Sequence, residues 1–405
     1  MKITNLIDTL PKKAQVIAKF ISIQESDKEL AHIRFSQDTL VNWVPKAIFA
    51  RSKADLADMS FLEFTESLLV YYGPKLLGEN IFRKLYSKKL PPELQKKVST
   101  PAEKLLQEKN SDKKELLPIK AAIALSALAI PLFEYSLNFI KNIFTMKLFK
   151  QADFNNIANL NKDKKEDEQI HKKVKASSIR HLKIAGGIFA GCLALSALLV
   201  SRGKNSKVLQ SISEAVLAPG NKLFKNNVQK AASFNKYFGL DFSDNNGKLG
   251  LSRGQLTACV VAGFFGYTQA AKDRGKQNLQ EVLYRYPLVG FYVITGSEMF
   301  EKGFKSILKR KDSYKDIIGD NLEVPKLFQL EEHAQKLAQT RGTSAEAEFK
   351  RLFKQKSTIV LVPLLFSIGF MGLFVAGMSR FFTKYRYNKE MGKGERGQED
   401  KKARR

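Results

Sequence analysis

Ser357 to Ser379 reads STIVLVPLLFSIGFMGLFVAGMS, 23 residues without a charge. A bilayer hydrocarbon core of roughly 30 Å is crossed by about 20 residues of α-helix. The stretch therefore predicts a membrane-spanning helix. Pro363 should kink it rather than break it, because surrounding groups can satisfy the carbonyl that proline leaves free. Upstream, Thr343 and Glu346 have the spacing of a capping box, which predicts an amphipathic helix running straight into the span. Downstream, residues 380–405 hold ten Lys/Arg against four acids, and 383–405 read as a disordered basic tail. Gly392, Gly394 and Gly397 spell GxGxxG there, but no strand precedes and no helix follows, so the pattern has no dinucleotide-binding context.

Three further runs extend the argument outward. Residues 119–140 are apolar except for Lys120 and Glu134, while 184–201 and 254–271 are each 18 residues without a charge. Eighteen is near the short limit for a span, and Ala and Gly add little transfer energy. Residues 286–300 form a half-length apolar segment interrupted by Glu298. That length suits a re-entrant, interfacial or buried helix, and its closeness to 254–271 suggests a helical hairpin.

Residues 1–118 have a different character. They carry 20 Lys/Arg against 15 Asp/Glu and predict a helical region that is soluble or rests on a membrane surface. Ser60 with Glu63 has capping-box spacing, Phe61, Phe64, Leu68 and Tyr72 follow at helical intervals, and Gly73-Pro74 reads as a stop. The expected fold is thus all-α: a multi-span helical membrane protein over 119–382, with that N-terminal region before it and the basic tail after it.

Charge points to the partner. The net charge is +28, and Lys outnumbers Arg heavily. A compact chain with that excess repels itself unless an anion is near, and point charges suit a lipid surface better than base reading, which favours the arginine fork. No aromatic platform or DNA-binding motif accompanies the basic residues, which disfavours nucleic acid as the partner and favours anionic phospholipid. Every connecting segment is basic: 141–183 holds 11 Lys/Arg against five acids, 202–253 nine against three, and 301–356 holds 13 Lys/Arg. The positive-inside rule needs alternate loops to differ, so the topology stays open. Either some apolar runs enter and leave on one face, keeping the basic loops cytoplasmic at an inner or plasma membrane, or they are central helices of a soluble bundle.

Small residues mark helix-packing faces. Gly254, Ala258, Ala262, Gly266 and Ala270 recur every fourth position, and Gly187 with Gly191 forms a GxxxG pair. Such ridges let backbones approach closely, within one chain or between copies in a homo-oligomer. Ile188–Gly191 and Arg202-Gly203-Lys204 are echoed 72 residues later by Val260–Gly263 and Arg274-Gly275-Lys276, a hint of duplication. Glu134 is the one acid well inside an apolar run. It is a candidate ion or proton site, or the partner of a lysine, unless Pro131 breaks the helix and leaves it at the interface.

No catalytic signature stands out. His32, His171, His181 and His333 lack metal-ligand spacing, and no nucleophile elbow or P-loop occurs. Residues 241–250 resemble a calcium loop, but Phe242 and Arg253 fall where acidic ligands are required, and an Asn-Gly turn explains the stretch better. Cys192 and Cys259 sit in apolar runs and read as small buried hydrophobes. No cofactor, metal or catalytic residue is therefore expected. The chain reads as a structural or scaffolding membrane protein. A transporter with Glu134 at its centre is the first alternative, and a soluble cationic helical protein is the second.

Overall fold

A computed structural model describes residues 4–25, 30–107, 112–161, 166–242 and 251–403. The Asn-Gly turn expected within 243–250 lies outside them. Every regular element among the described residues is a helix, and they contain no strand. The elements used below are α1 (Lys12–Glu25), α2 (Lys53–Gly73), α3 (Asp112–Ala127), α4 (Ala129–Phe149), α5 (Glu168–Arg202), α6 (Val228–Phe238), α7 (Arg253–Arg274), α8 (Lys276–Phe291), α9 (Ser297–Lys309), α10 (Leu330–Arg341), α11 (Ala345–Ser367) and α12 (Ala376–Ala403). Two compact units are present. One comprises Lys46–Gly290 with Ala376–Arg405, the other Met1–Pro45 with Phe291–Val375. The N-terminal region 1–118 is thus shared between them.

The larger unit is built around a rod, α3 followed by α4. Leu128 alone separates the two helices (φ −60°, ψ −9°), so the break falls three residues before Pro131. Pro131 lies in the first turn of α4, where a missing N–H costs little, and it opens that helix rather than ending it. Glu134 lies within α4 and is 1 % exposed.

Two neighbours fix the heights along this rod, and a third follows from one of them. On α5, His181 stacks on Phe139 at 4.5 Å and shares a hydrogen bond with Tyr135, while Ser196 donates to the Ala122 carbonyl at 3.1 Å. Rising numbers on one helix meet falling numbers on the other, so α5 is antiparallel to the rod. On α7, Gly266 presses against the Tyr135 backbone, and Asn142 donates to the Ala270 carbonyl at 3.5 Å, so α7 runs parallel to α4. Gly275, at φ +131°, makes the reversal into α8, a backbone conformation that other residues avoid. Tyr286 then donates to the Val260 carbonyl at 3.0 Å, which makes α7 and α8 an antiparallel hairpin. The echoed Arg-Gly-Lys triplets do different work. Gly203 sits in a 3-10 turn against Pro118, whereas Gly275 is the hairpin turn.

Local starts and stops differ from the sequence reading in three places. α2 begins at Lys53: Ser52 accepts from the Asp55 amide at 3.0 Å, and Asp55 accepts from the Arg51 amide at 3.0 Å. That reciprocal pair outcompetes Ser60 and Glu63, and Glu63 is drawn inside to pair with Lys46. Gly73-Pro74 does not stop the chain, because the wider π-helical turn of Pro74–Arg83 continues the run. The cap of α11 is Ser344, which accepts from the Ala347 amide at 3.2 Å. Thr343 donates instead to Glu348 at 3.1 Å.

The smaller unit packs α1, α9, α10 and α11 around Ile21, Leu308, Leu330, Phe349 and Leu352. Lys356, 2 % exposed, is paired with Glu25 at 2.6 Å. Asp316 holds Arg341 at 2.9 Å and Arg351 at 2.8 Å, tying the loop after α9 to α10 and α11. Phe300 stacks on Phe366 with centroids 3.7 Å apart, and Phe370 and Phe374 continue the ladder along a π-helical stretch, Ile368–Val375. The helical run from Ala345 is thereby continuous into α12, as expected, and the tail region from 383 is helical as far as Ala403.

Candidate functional site

Among the described residues three helical runs are long and apolar enough to cross a membrane: Asp112–Phe149, Glu168–Asn205 and Ala345–Gly392. Residues 254–271, a fourth span by sequence, are not among them. α7 spends that length on Gln255, Thr257, Thr268 and Gln269 as well as apolar residues. The three runs differ in surroundings. The most apolar window is 78 % buried in Asp112–Phe149, 17 % in Glu168–Asn205 and 28 % in Ala345–Gly392. The first is a protein core. The other two present apolar surface.

Inside the larger unit, α4 carries a buried polar seam. Glu134, Asn138, Asn142 and Thr145 follow at intervals of four, four and three residues, which puts them on one helix face, and each is 1 % exposed or less. A β-carbon at Gly263 would lie 2.2 Å from the Tyr286 hydroxyl and 3.2 Å from the Glu134 carboxylate, so the glycine makes room for both groups. Tyr267 and Tyr286 complete the apolar side of this layer.

The seam ends in a cluster of ion pairs. Asp58 on α2 takes a bidentate pair from Arg274, at 2.8 and 3.1 Å, together with Lys141 at 3.2 Å and the Thr145 hydroxyl. Burial pushes the Asp58 carboxyl up, but the Arg274 and Lys141 charges outweigh it and hold the group at about 2. Arg380 on α12 pairs with Asp55 at 2.7 Å and with Glu281 at 3.5 Å, and Thr383 donates to Glu281 at 2.8 Å. Glu281 is likewise raised by burial and brought below its usual value by Arg380 and Arg285. Five helices, α2, α4, α7, α8 and α12, are clamped by charges that neutralise one another. Sequence reading did not find this cluster, since Asp58, Glu281 and Arg380 stand in unremarkable amphipathic surroundings far apart in the chain. The only available signal was Arg274 directly beyond a small-residue helix.

Outside the same unit runs an apolar belt. Phe133 on α4, Ile184 and Ile188 on α5, Val261 and Phe265 on α7, and Leu288 on α8 are all exposed. The Tyr135–His181, Tyr135–Gly266 and Val260–Tyr286 contacts put these residues within about two helical turns of one height, the height of Glu134.

The small-residue faces divide. Gly254 packs against the Gly239 backbone and Gly266 against that of Tyr135, while Ala258 and Ala262 between them are half-buried. The buried face in the middle of α7 passes through Cys259 and Gly263 instead. Gly187 and Gly191 lie on the outward face of α5, where an added β-carbon would meet nothing within 4 Å. No group of three or more His, Cys, Asp or Glu capable of holding a metal occurs among the described residues. His181 and His333 are engaged in packing and in a hydrogen bond to the Asp316 carbonyl. Compared with protein-family models, curated proteins and solved structures, the chain gives no match.

Proposed function

We propose that this is an integral membrane protein of structural or scaffolding type, with its outward apolar helix faces in lipid and its basic segments on anionic headgroups. The observation that carries this reading is the outer face of α5. Ile184, Gly187, Ile188, Gly191, Ala194 and Leu198 are exposed along an uncharged stretch, 184–201, whose length of about 27 Å approaches the hydrocarbon thickness of a bilayer. Left in water, a continuous apolar surface of this kind invites association. Both ends of the stretch are basic. Lys172, Lys173, Lys175, Arg180 and Lys183 are exposed before it, and Arg202, Lys204 and Lys207 after it. Lysine and arginine in those positions can place their charges among headgroups.

Alkaline carbonate extraction of membranes from expressing cells tests the reading. Retention in the pellet is the expected result. Recovery in the soluble fraction would end it and favour the cationic soluble bundle.

A transport role is the second reading. The Glu134–Asn138–Asn142 seam lies at the height of the apolar belt, and the Asn138 side-chain amide meets no hydrogen-bond partner among the described residues. A buried ionisable residue at such a depth is costly and is retained where it serves an ion or proton. Ion or proton flux through reconstituted vesicles that Glu134→Gln abolishes would establish this role in place of the scaffold.

A further inference from the structure

The segment from Pro219 to Phe238 stands apart chemically. Lys222, Lys225, Lys230 and Lys236 fall within it, and no acid occurs from Ala215 to Leu240. Large apolar side chains are displayed among these charges: Leu223 is 64 % exposed and Val228 78 %. Phe234 stacks on Phe238 with centroids 4.5 Å apart and meets Phe224 in a tilted pair at 5.6 Å, and the Tyr237 ring lies beneath Lys236 and Arg253 at 5.9 and 5.6 Å. Between the rings and Lys230 runs an open groove of about 580 Å³.

This surface is held rigidly. Asn235 is buried at its base, where it accepts from the Gly220 amide at 2.6 Å and donates to Asn221 and Glu103 at 3.0 Å each. Gly239 then abuts Gly254 at the start of α7. The segment therefore caps the end of the larger unit where the uncharged stretch of α5 finishes at Arg202.

We propose that Pro219–Phe238 is a docking surface for the anionic headgroup layer of a bilayer. Leu223 and Val228 enter the boundary with the acyl chains, and Lys225, Lys230 and Lys236 lie among the phosphates. Charge complementarity selects this occupant. Rings at a water–lipid boundary with cations beside them match the amphipathic character of that layer, and a neutral surface offers the lysines nothing. The inference rests on the reading that α5 enters the bilayer, and it adds a second, peripheral attachment that is specific for lipid charge.

The test uses the full chain with its single tryptophan removed (Trp43→Phe) and a reporter introduced by Val228→Trp, reconstituted into vesicles containing lipids brominated near the carbonyl end. In phosphatidylserine vesicles the reporter emission should shift to the blue and be quenched. Both effects should be lost in phosphatidylcholine vesicles and in the Lys225→Gln, Lys230→Gln, Lys236→Gln triple variant. A second reporter, Leu223→Trp, should behave alike. Leu198→Trp, on the outer face of α5, reports embedding separately. Quenching at position 198 with none at 228 would overturn the docking surface and leave the membrane reading standing, while no quenching at either would overturn both. Equal quenching at 228 in charged and neutral vesicles would refute recognition of charge. A shift at 228 as large with RNA in detergent as with phosphatidylserine would assign the surface to nucleic acid instead.

Discussion

The α3–α4 rod and helix α5 lie side by side in one unit and are both apolar enough to cross a membrane, yet one is wrapped by protein and the other faces outward. Hydrophobicity does not separate them. Their polar residues do. The rod carries Lys120, Ser126, Glu134, Asn138, Lys141, Asn142 and Thr145, and most of these meet a partner elsewhere in the unit: Lys120 pairs with Asp241, beyond the end of α6, at 2.9 Å, Ser126 bonds Ser196 at 3.1 Å, and Lys141 and Thr145 converge on Asp58. Over 184–201, α5 has only Ser196 and Ser201 as hydroxyl groups: Ser196 is buried on the face that meets Ser126 and Ala122 of the rod, and the exposed Ser201 bonds its own helix backbone. A helix that brings polar groups must be surrounded by protein that answers them, since an unanswered group in an apolar medium costs several kcal/mol. A helix face that brings none can be left to lipid.

The contrast can be broken most forcefully at the ion cluster. Arg274→Leu strips the bidentate partner from Asp58 and leaves a buried carboxylate with Lys141 alone. The expected loss is about 3–5 kcal/mol of stability, read as thermal or denaturant unfolding in mild detergent. An unchanged transition would mean that the rod is not held by charge pairing.

Paired truncations come next. Leu137→Ala on the rod, fully buried against Leu62, Tyr267 and Val282, should cost about 2–5 kcal/mol. Leu198→Ala on α5 should change unfolding in detergent by less than about 0.5 kcal/mol. Similar costs at both positions would erase the distinction between the two helices.

The acid response probes the same cluster without removing either cation. Asp58 has its folded value below its ordinary one of 3.8, so its stabilising contribution is complete above that pH and disappears as pH falls through about 2. The amount is about 2 kcal/mol. Urea midpoints measured between pH 5 and 2 should fall in the wild type, and the part due to this group should be missing in Asp58→Asn. Identical pH profiles would show that Asp58 is not held in its charged form by its neighbours.

Much of the architecture was legible because it depends on local spacing. The helical run into 357–379, the hairpin near 254–291 and the small-residue contacts at Gly254 and Gly266 each follow from residues a few positions apart. The caps were less legible. Two capping boxes competed near 52–63, and the one whose acid also bonds a neighbouring amide prevailed. The ion cluster was illegible, because Asp58 and Arg274 are 216 residues apart and nothing local to either one points to the other.

By itself the sequence determined an all-helical chain, strongly basic, with long apolar runs, since period, length and charge are properties of each segment alone. Only the tertiary structure decided which of those runs is core and which is surface. That choice depends on where distant polar partners come to rest, and a segment carries no record of its neighbours.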